Sequence, residues 1–213
     1  MRTVIVDYGS GNLRSAAKAF ERALRERDIA GEIRVSADPR EAAAADRIVL
    51  PGVGAFAACM NGLAALSGMI EALTRSVRER GRPLLGICVG MQLLAERGHE
   101  HGLHRGLGWI AGEVRRIAPP DPTFKVPHMG WNDLTPRRAH KLLDKIAAGA
   151  QSYFVHSYHF SPSDRSDVVA TTDYGGELVA IVGRDNVAGT QFHPEKSQET
   201  GLRLIANFLT WRP

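Results

Sequence analysis

The stretch Leu84-Leu85-Gly86-Ile87-Cys88-Val89-Gly90-Met91-Gln92-Leu93-Leu94 joins an apolar run to a helical pattern through a glycine-flanked cysteine. This is the sequence form of a nucleophile elbow: a strand ends, the chain turns sharply at one residue, and a helix begins. Gly86 and Gly90 have no Cβ, so strand and helix can approach closely around the turn. Cys88 is then expected at an exposed tip, on the first turn of a helix. Free N–H groups and the helix dipole there favour a thiolate. Read alone, the same residues also fit a buried core thiol, a common state of a free cysteine.

Upstream of the elbow strand at residues 83–87, strand and helix alternate. Residues 3–7 and 47–50 are short apolar runs, read as buried strands, and residues 32–35 are a weaker one. Helical spacing covers residues 13–27, 55–66 and 69–80, and residues 89–96 continue the elbow. Such alternation argues for a parallel sheet. After Gly108 the pattern changes to short alternating runs at 113–117, 131–134, 153–160, 168–172, 178–182 and 187–192. These read as antiparallel strands and hairpins, followed by a closing helix over 199–210. The expected architecture is a three-layer α/β domain, with a mixed, mostly parallel central sheet and helices on both faces. No repeat or linker divides residues 1–213, so a single domain is expected.

Composition narrows the function classes. The 213 residues are 44% hydrophobic and 23% charged, an ordinary globular balance. The net charge of +4 is too mild and too dispersed to argue for nucleic acid. Two cysteines, Cys59 and Cys88, do not make a disulfide scaffold. The N-terminus reaches a charge too early for a signal peptide, and no apolar stretch approaches a membrane span. A cytoplasmic protein is expected. Tyr8-Gly9-Ser10-Gly11-Asn12 faintly suggests a dinucleotide fingerprint, but Arg14 stands where the third glycine belongs. Cys59, beside Ala58, Leu63 and Leu66, reads as packing. His99, His101 and His104 share a glycine-bearing loop without completing a usual ligand pattern, and neither a metal nor a cofactor is expected.

Sites in open α/β sheets form at the carboxyl ends of strands. Four loops begin at such ends: after Asp7, after Leu50, at Cys88 and at His193. Residues i and i+2 of an extended segment point to one side, so Glu195 can hydrogen-bond one nitrogen of His193 and turn the other toward Cys88. The competing reading is a strand-capping histidine beside a solvated glutamate. An attacked carbonyl develops an oxyanion. The Val89 N–H at the elbow is one donor for it, and Gly52 and Val53 of Pro51-Gly52-Val53-Gly54 are placed to supply another. A bland tight turn is the alternative for that segment.

Gly86-Ile87-Cys88-Val89-Gly90-Met91-Gln92 together with His193-Pro194-Glu195 resembles the Cys-His-Glu triad of class I glutamine amidotransferases. Pro127-His128-Met129-Gly130-Trp131-Asn132 and Tyr153-Phe154-Val155-His156-Ser157-Tyr158 narrow the resemblance to the glutaminase subunits of imidazole glycerol phosphate synthases. The match runs end to end. It implies the class I amidotransferase fold over residues 1–213. It also implies a glutaminase in which Cys88 forms a γ-glutamyl thioester, His193 shuttles the proton and Glu195 orients His193. Gln92, His156, Ser157 and Tyr158 are the implied substrate contacts. Ammonia is implied to pass to a barrel-shaped cyclase subunit in a heterodimer. There it would yield imidazole glycerol phosphate and an aminoimidazole carboxamide ribotide, a step of histidine biosynthesis. Asn12, Trp131, Tyr153 and Lys196 are implied at the docking face. Cysteine peptidases of a related fold carry a histidine directly after the nucleophile, and here Val89 stands there.

Overall fold

A computed structural model describes all 213 residues. Five strands form the parallel part of the main sheet: β1 (Arg2–Val6), β2 (Glu32–Ser36), β3 (Arg47–Gly52), β4 (Leu84–Cys88) and, from the far end of the chain, residues Val187–Thr190. Helices α1 (Leu13–Glu26), α2 (Pro39–Ala44), α3 (Phe56–Ala65) and α4 (Met69–Thr74) connect the first four of these strands. In α1 the apolar residues recur at helical spacing, so Ala16, Phe20, Ala23 and Leu24 bury one face. Asn12 Oδ1 caps that helix by accepting from the Ser15 N–H at 3.4 Å. The short α2 escapes the sequence reading because six residues carry too little periodicity. Its start is nevertheless marked by Asp38, which accepts from the Arg40 N–H at 2.8 Å, and by Pro39 in the first turn. Beyond α4 the chain continues as a π-helical segment over Arg75–Glu79.

After β4 comes α5 (Val89–Gln92), a single turn, where residues 89–96 had been expected to be helical. Residues 106–110 explain the early end. The N–H groups of Leu107, Trp109 and Gly108 take the carbonyls of Leu93, Leu94 and Ala95 at 2.8–2.9 Å, so the helical ladder has no free acceptors to extend through.

The second half supplies β5 (Arg97–Gly98), β6 (His104–Arg105), β7 (Gly112–Arg116), β8 (His128–Asp133), β9 (Thr135–Pro136), β10 (Gln151–His156), β11 (Tyr158–Pro162), β12 (Val168–Asp173), β13 (Glu177–Arg184) and β14 (Val187–Thr190). The chain closes with α6 (Gln198–Thr210). The run at 153–160 is therefore two strands. It breaks at Ser157, where the chain leaves β10, paired with β8, and enters β11, paired with β7. The eight-stranded main sheet has the order β2-β1-β3-β4-β14-β13-β12-β9, with its last three strands antiparallel. Its centre is buried throughout: β3 and β4 are covered at every position, and the one charged residue there, Arg47 at the start of β3, donates from Nε to the Leu209 carbonyl at 2.8 Å. Such continuous burial is what a sheet covered on both faces requires. No single helix is long and apolar enough to cross a membrane.

Candidate active site

Strands β1, β3, β4 and β14 are neighbours, so the four loops singled out from the sequence lie side by side at their carboxyl ends. Gly52 pairs directly with Cys88 in the β3–β4 register. Cys88 carries φ 54° and ψ −111°, a strained backbone for a residue with a side chain. Close packing enforces it. A Cβ on Gly90 would overlap the Leu50 carbonyl oxygen, and one on Gly52 would sit 2.6 Å from the Gly90 nitrogen. The thiol is not at an exposed tip as expected: Cys88 is only 4% exposed. It opens onto a cavity of about 340 Å³, lined among others by Val53, Val89, Gln92, Glu100, His156 and His193. With α5 only one turn long, the helix dipole at Cys88 is weaker than a full helix would give.

His193 sits three residues past β14, with its side chain 3% exposed. Its Nδ1 lies 2.8 Å from Glu195 Oε1, which leaves Nε2 as the nitrogen available to Cys88. Burial pulls the imidazolium pKa down, but Cys88 and Glu195 together outweigh it and push His193 up to about 10. A charged imidazole between a thiol and a carboxylate is the arrangement that holds a thiolate near neutral pH. Ser197 fixes the backbone of this turn, its hydroxyl donating to the His193 carbonyl at 2.6 Å.

Gly52 and Val53 are brought to the nucleophile, but the Val53 N–H is already taken. It donates to Ser10 Oγ at 3.0 Å, while Ser10 Oγ lies 2.8 Å from the Val53 carbonyl oxygen. Tyr8 also donates its hydroxyl to the Pro51 carbonyl. Val89 lines the cavity at the start of α5.

Gln92, His156, Ser157 and Tyr158 all line the cavity. The Gln92 amide, however, is turned into the wall: Nε2 donates to the Tyr158 carbonyl at 2.9 Å and to Gln191 Oε1 at 3.2 Å. That leaves only its oxygen for a ligand. His156 Nδ1 donates to the same Tyr158 carbonyl at 2.9 Å, and His156 Nε2 lies 3.0 Å from His128 Nδ1. Burial drives both rings neutral, to about 3 for His156 and about 4 for His128.

Trp131 and Tyr153 are register partners on β8 and β10, with rings edge-on at 5.9 Å. Lys196 Nζ stands 5.8 Å over the Tyr153 ring. Trp131 is 45% exposed, so its indole is surface and not core. Asn12 is exposed at the start of α1 and, with Gly52, His193 and Glu195, lines a small gap beside the triad.

Sequence reasoning missed Glu100, Ser10, Gln191 and Met129. Glu100 comes from the loop that carries His99, His101 and His104. Its Oε2 accepts the Phe56 N–H at 2.8 Å and its side chain borders the cavity. Of that loop's histidines, His99 reaches Glu113 at 2.9 Å. Met129, 61% exposed, extends the surface beside Trp131. Only Met129 had a local signal, lying two residues before Trp131 on an alternating strand.

A family model for class I glutamine amidotransferases matches residues 4–211. The chain is 59% identical to imidazole glycerol phosphate synthase subunit HisH of Rhodospirillum rubrum over 214 residues, covering all of both chains. It is 57% identical to the subunit of the same name from Brucella suis over 216 residues, again covering all of both. A crystal structure of a glutamine amidotransferase aligns with TM-score 0.69 and 21% identity over 97% of this chain and 96% of that one, a likeness of fold alone. A Thermotoga maritima glutamine amidotransferase aligns with TM-score 0.63 over 92% and 76% of the two chains. End-to-end identity of this size, over a strained cysteine elbow facing a buried histidine–glutamate pair, places the chain in the class I glutamine amidotransferase family.

Proposed function

We propose that this chain is the glutaminase subunit of an imidazole glycerol phosphate synthase and that Cys88, His193 and Glu195 carry its chemistry. The observation that carries the reading is His193, held between Cys88 and Glu195 and kept charged up to about 10. The thiolate of Cys88 attacks the side-chain carbonyl carbon of glutamine, and the oxyanion falls toward the Val89 N–H. His193 gives its proton to the departing nitrogen, releasing ammonia and leaving a γ-glutamyl thioester. Water then attacks the thioester, with His193 taking its proton; glutamate leaves and the thiolate–imidazolium pair returns. Glu195 holds the ring by its Nδ1 throughout. Beside the Cys88–His193 pair, Glu100 and Lys196 give the cavity a further anion and a further cation, matching the two charges of a free α-amino acid. His156, Ser157 and Tyr158 form the wall against which the substrate lies.

The ammonia is used by a partner, a barrel-shaped cyclase subunit that docks over Asn12, Trp131, Tyr153 and Lys196, in the cytoplasm. Aromatic anchors of this kind dominate interface energetics. Because the Val53 N–H is held by Ser10, a second oxyanion donor is withheld in the free chain, and docking beside Lys196 is the event that releases it. The test is glutamate formation from glutamine by the chain alone, then with the cyclase and its phosphoribulosyl nucleotide, against Cys88→Ala. Stimulation of at least about a hundredfold, absent in Cys88→Ala, is expected; about 3 kcal/mol of oxyanion stabilisation is the size of one donor. Equal activity with and without the cyclase would mean a free-standing hydrolase.

A further inference from the structure

Gln191 is fully buried, one residue beyond β14 and two before His193. Its backbone N–H is tied to the Ala180 carbonyl of β13 at 2.8 Å, so the residue cannot swing away from the sheet. Its side-chain Oε1 accepts from Gln92 Nε2 at 3.2 Å, and its Nε2 lies 3.8 Å from Cys88 Sγ. The direction of this chain is fixed from its far end. The Gln92 amide faces two oxygens, the Tyr158 carbonyl at 2.9 Å and Gln191 Oε1, and only its NH2 group can donate to both. The NH2 of Gln92 therefore points at Gln191, the oxygen of Gln191 points back, and the NH2 of Gln191 is left facing the sulfur. A neutral thiol is a weak acceptor, whereas a thiolate takes a charge-assisted hydrogen bond.

We propose that Gln191 is a further catalytic residue, whose side-chain amide donates to the Cys88 thiolate, and that Gln92 is the positioning residue that aims it. The proposal rests on Cys88 being the nucleophile. Gln191 stabilises the thiolate before attack and again when the thioester collapses and sulfur recovers its charge. No bond to Gln191 forms or breaks. Gln92 thereby works from the wall of the cavity, with its NH2 committed to the protein.

The other titratable groups that face the sulfur are His193, with Glu195 behind it, and Tyr8 and Cys59 behind the Pro51-Gly52-Val53-Gly54 segment. Glu100, His156 and Lys196 stand on the same cavity. Gln191 does not titrate, so its removal takes no charge out of the site and leaves the surrounding charges in place.

The test is the rate of iodoacetamide alkylation of Cys88 as a function of pH, read by mass spectrometry of the Cys88 peptide. It needs neither glutamine nor the cyclase, so it separates this proposal from the glutaminase reading. In Gln191→Met the thiolate titration moves to higher pH, and alkylation below the wild-type midpoint slows about tenfold, the size of one hydrogen bond to a charged group. Gln191→Glu keeps the shape but places an anion against the sulfur, and it shifts the titration further in the same direction. Gln92→Met gives a smaller shift, and combined with Gln191→Met it adds nothing, because the two act as one chain. An unchanged titration in both Gln191 variants would overturn the proposal. So would full additivity of the Gln92 and Gln191 substitutions.

Discussion

Two buried thiols lie close to the same segment of chain, and they differ in everything but accessibility. Cys88 is 4% exposed and Cys59 1% exposed. Cys59 sits in the middle of α3, its sulfur 3.2 Å from Ser10 Oγ and 3.3 Å from the Val53 carbonyl. Burial raises its pKa, with no cation beside it to oppose the shift. Cys88 stands on a strained turn, faces a cavity and has a charged imidazole for a neighbour. Exposure therefore does not distinguish a nucleophile from a packing residue here. Backbone geometry and the partner at the sulfur do.

Strain is the first half of that difference, and it breaks most visibly. Gly90→Ala puts a methyl group into the Leu50 carbonyl, forcing β3 and α5 apart. We expect a loss on the order of 3 kcal/mol, a Tm lower by about 10 °C, together with loss of glutaminase activity. An alanine at this position that left both unchanged would mean that the close strand–helix packing does not support the elbow.

The imidazole is the second half. Because His193 keeps its proton up to about 10, the alkaline limb of kcat/KM is expected to fall near that pH and not near the ordinary histidine value of about 6.5. Glu195→Gln removes one of the two groups that raise it. The limb then moves to lower pH and activity at neutral pH drops about tenfold or more. A pH–rate profile of the two proteins checks the sign.

The smallest effect is expected on the other thiol. Cys59→Ala removes a buried sulfur and its contacts with Ser10 and Val53, at a cost of about 1 kcal/mol in thermal or urea unfolding. Glutaminase activity should stay within about twofold, since no step passes through Cys59.

What the sequence discloses about this site follows from how local each cause is. The Cys88 elbow is legible because its glycines are neighbours in the chain and their absence of a side chain has one structural use. His193 and Glu195 are legible as an i, i+2 pair at the end of an apolar run. Gln191 reads as one more residue of that run, because the amides of Gln92 and Gln191 meet only when β4 and β14 pair. Ser10 and Glu100 are invisible for the same reason: each acts across more than forty residues of chain, on Val53 and Phe56. The length of α5 is set by residues 106–110 taking its carbonyls, and the break at Ser157 by a change of sheet within an unbroken alternation. Both are tertiary decisions.

The most direct measurement is to treat the chain, with its cyclase, with a diazoketone analogue of glutamine and to map the adduct by peptide mass spectrometry. The account predicts one adduct, on Cys88, that excess glutamine prevents and that Glu195→Gln slows. An adduct on Cys59, or labelling of Cys88 that glutamine does not protect, would contradict it.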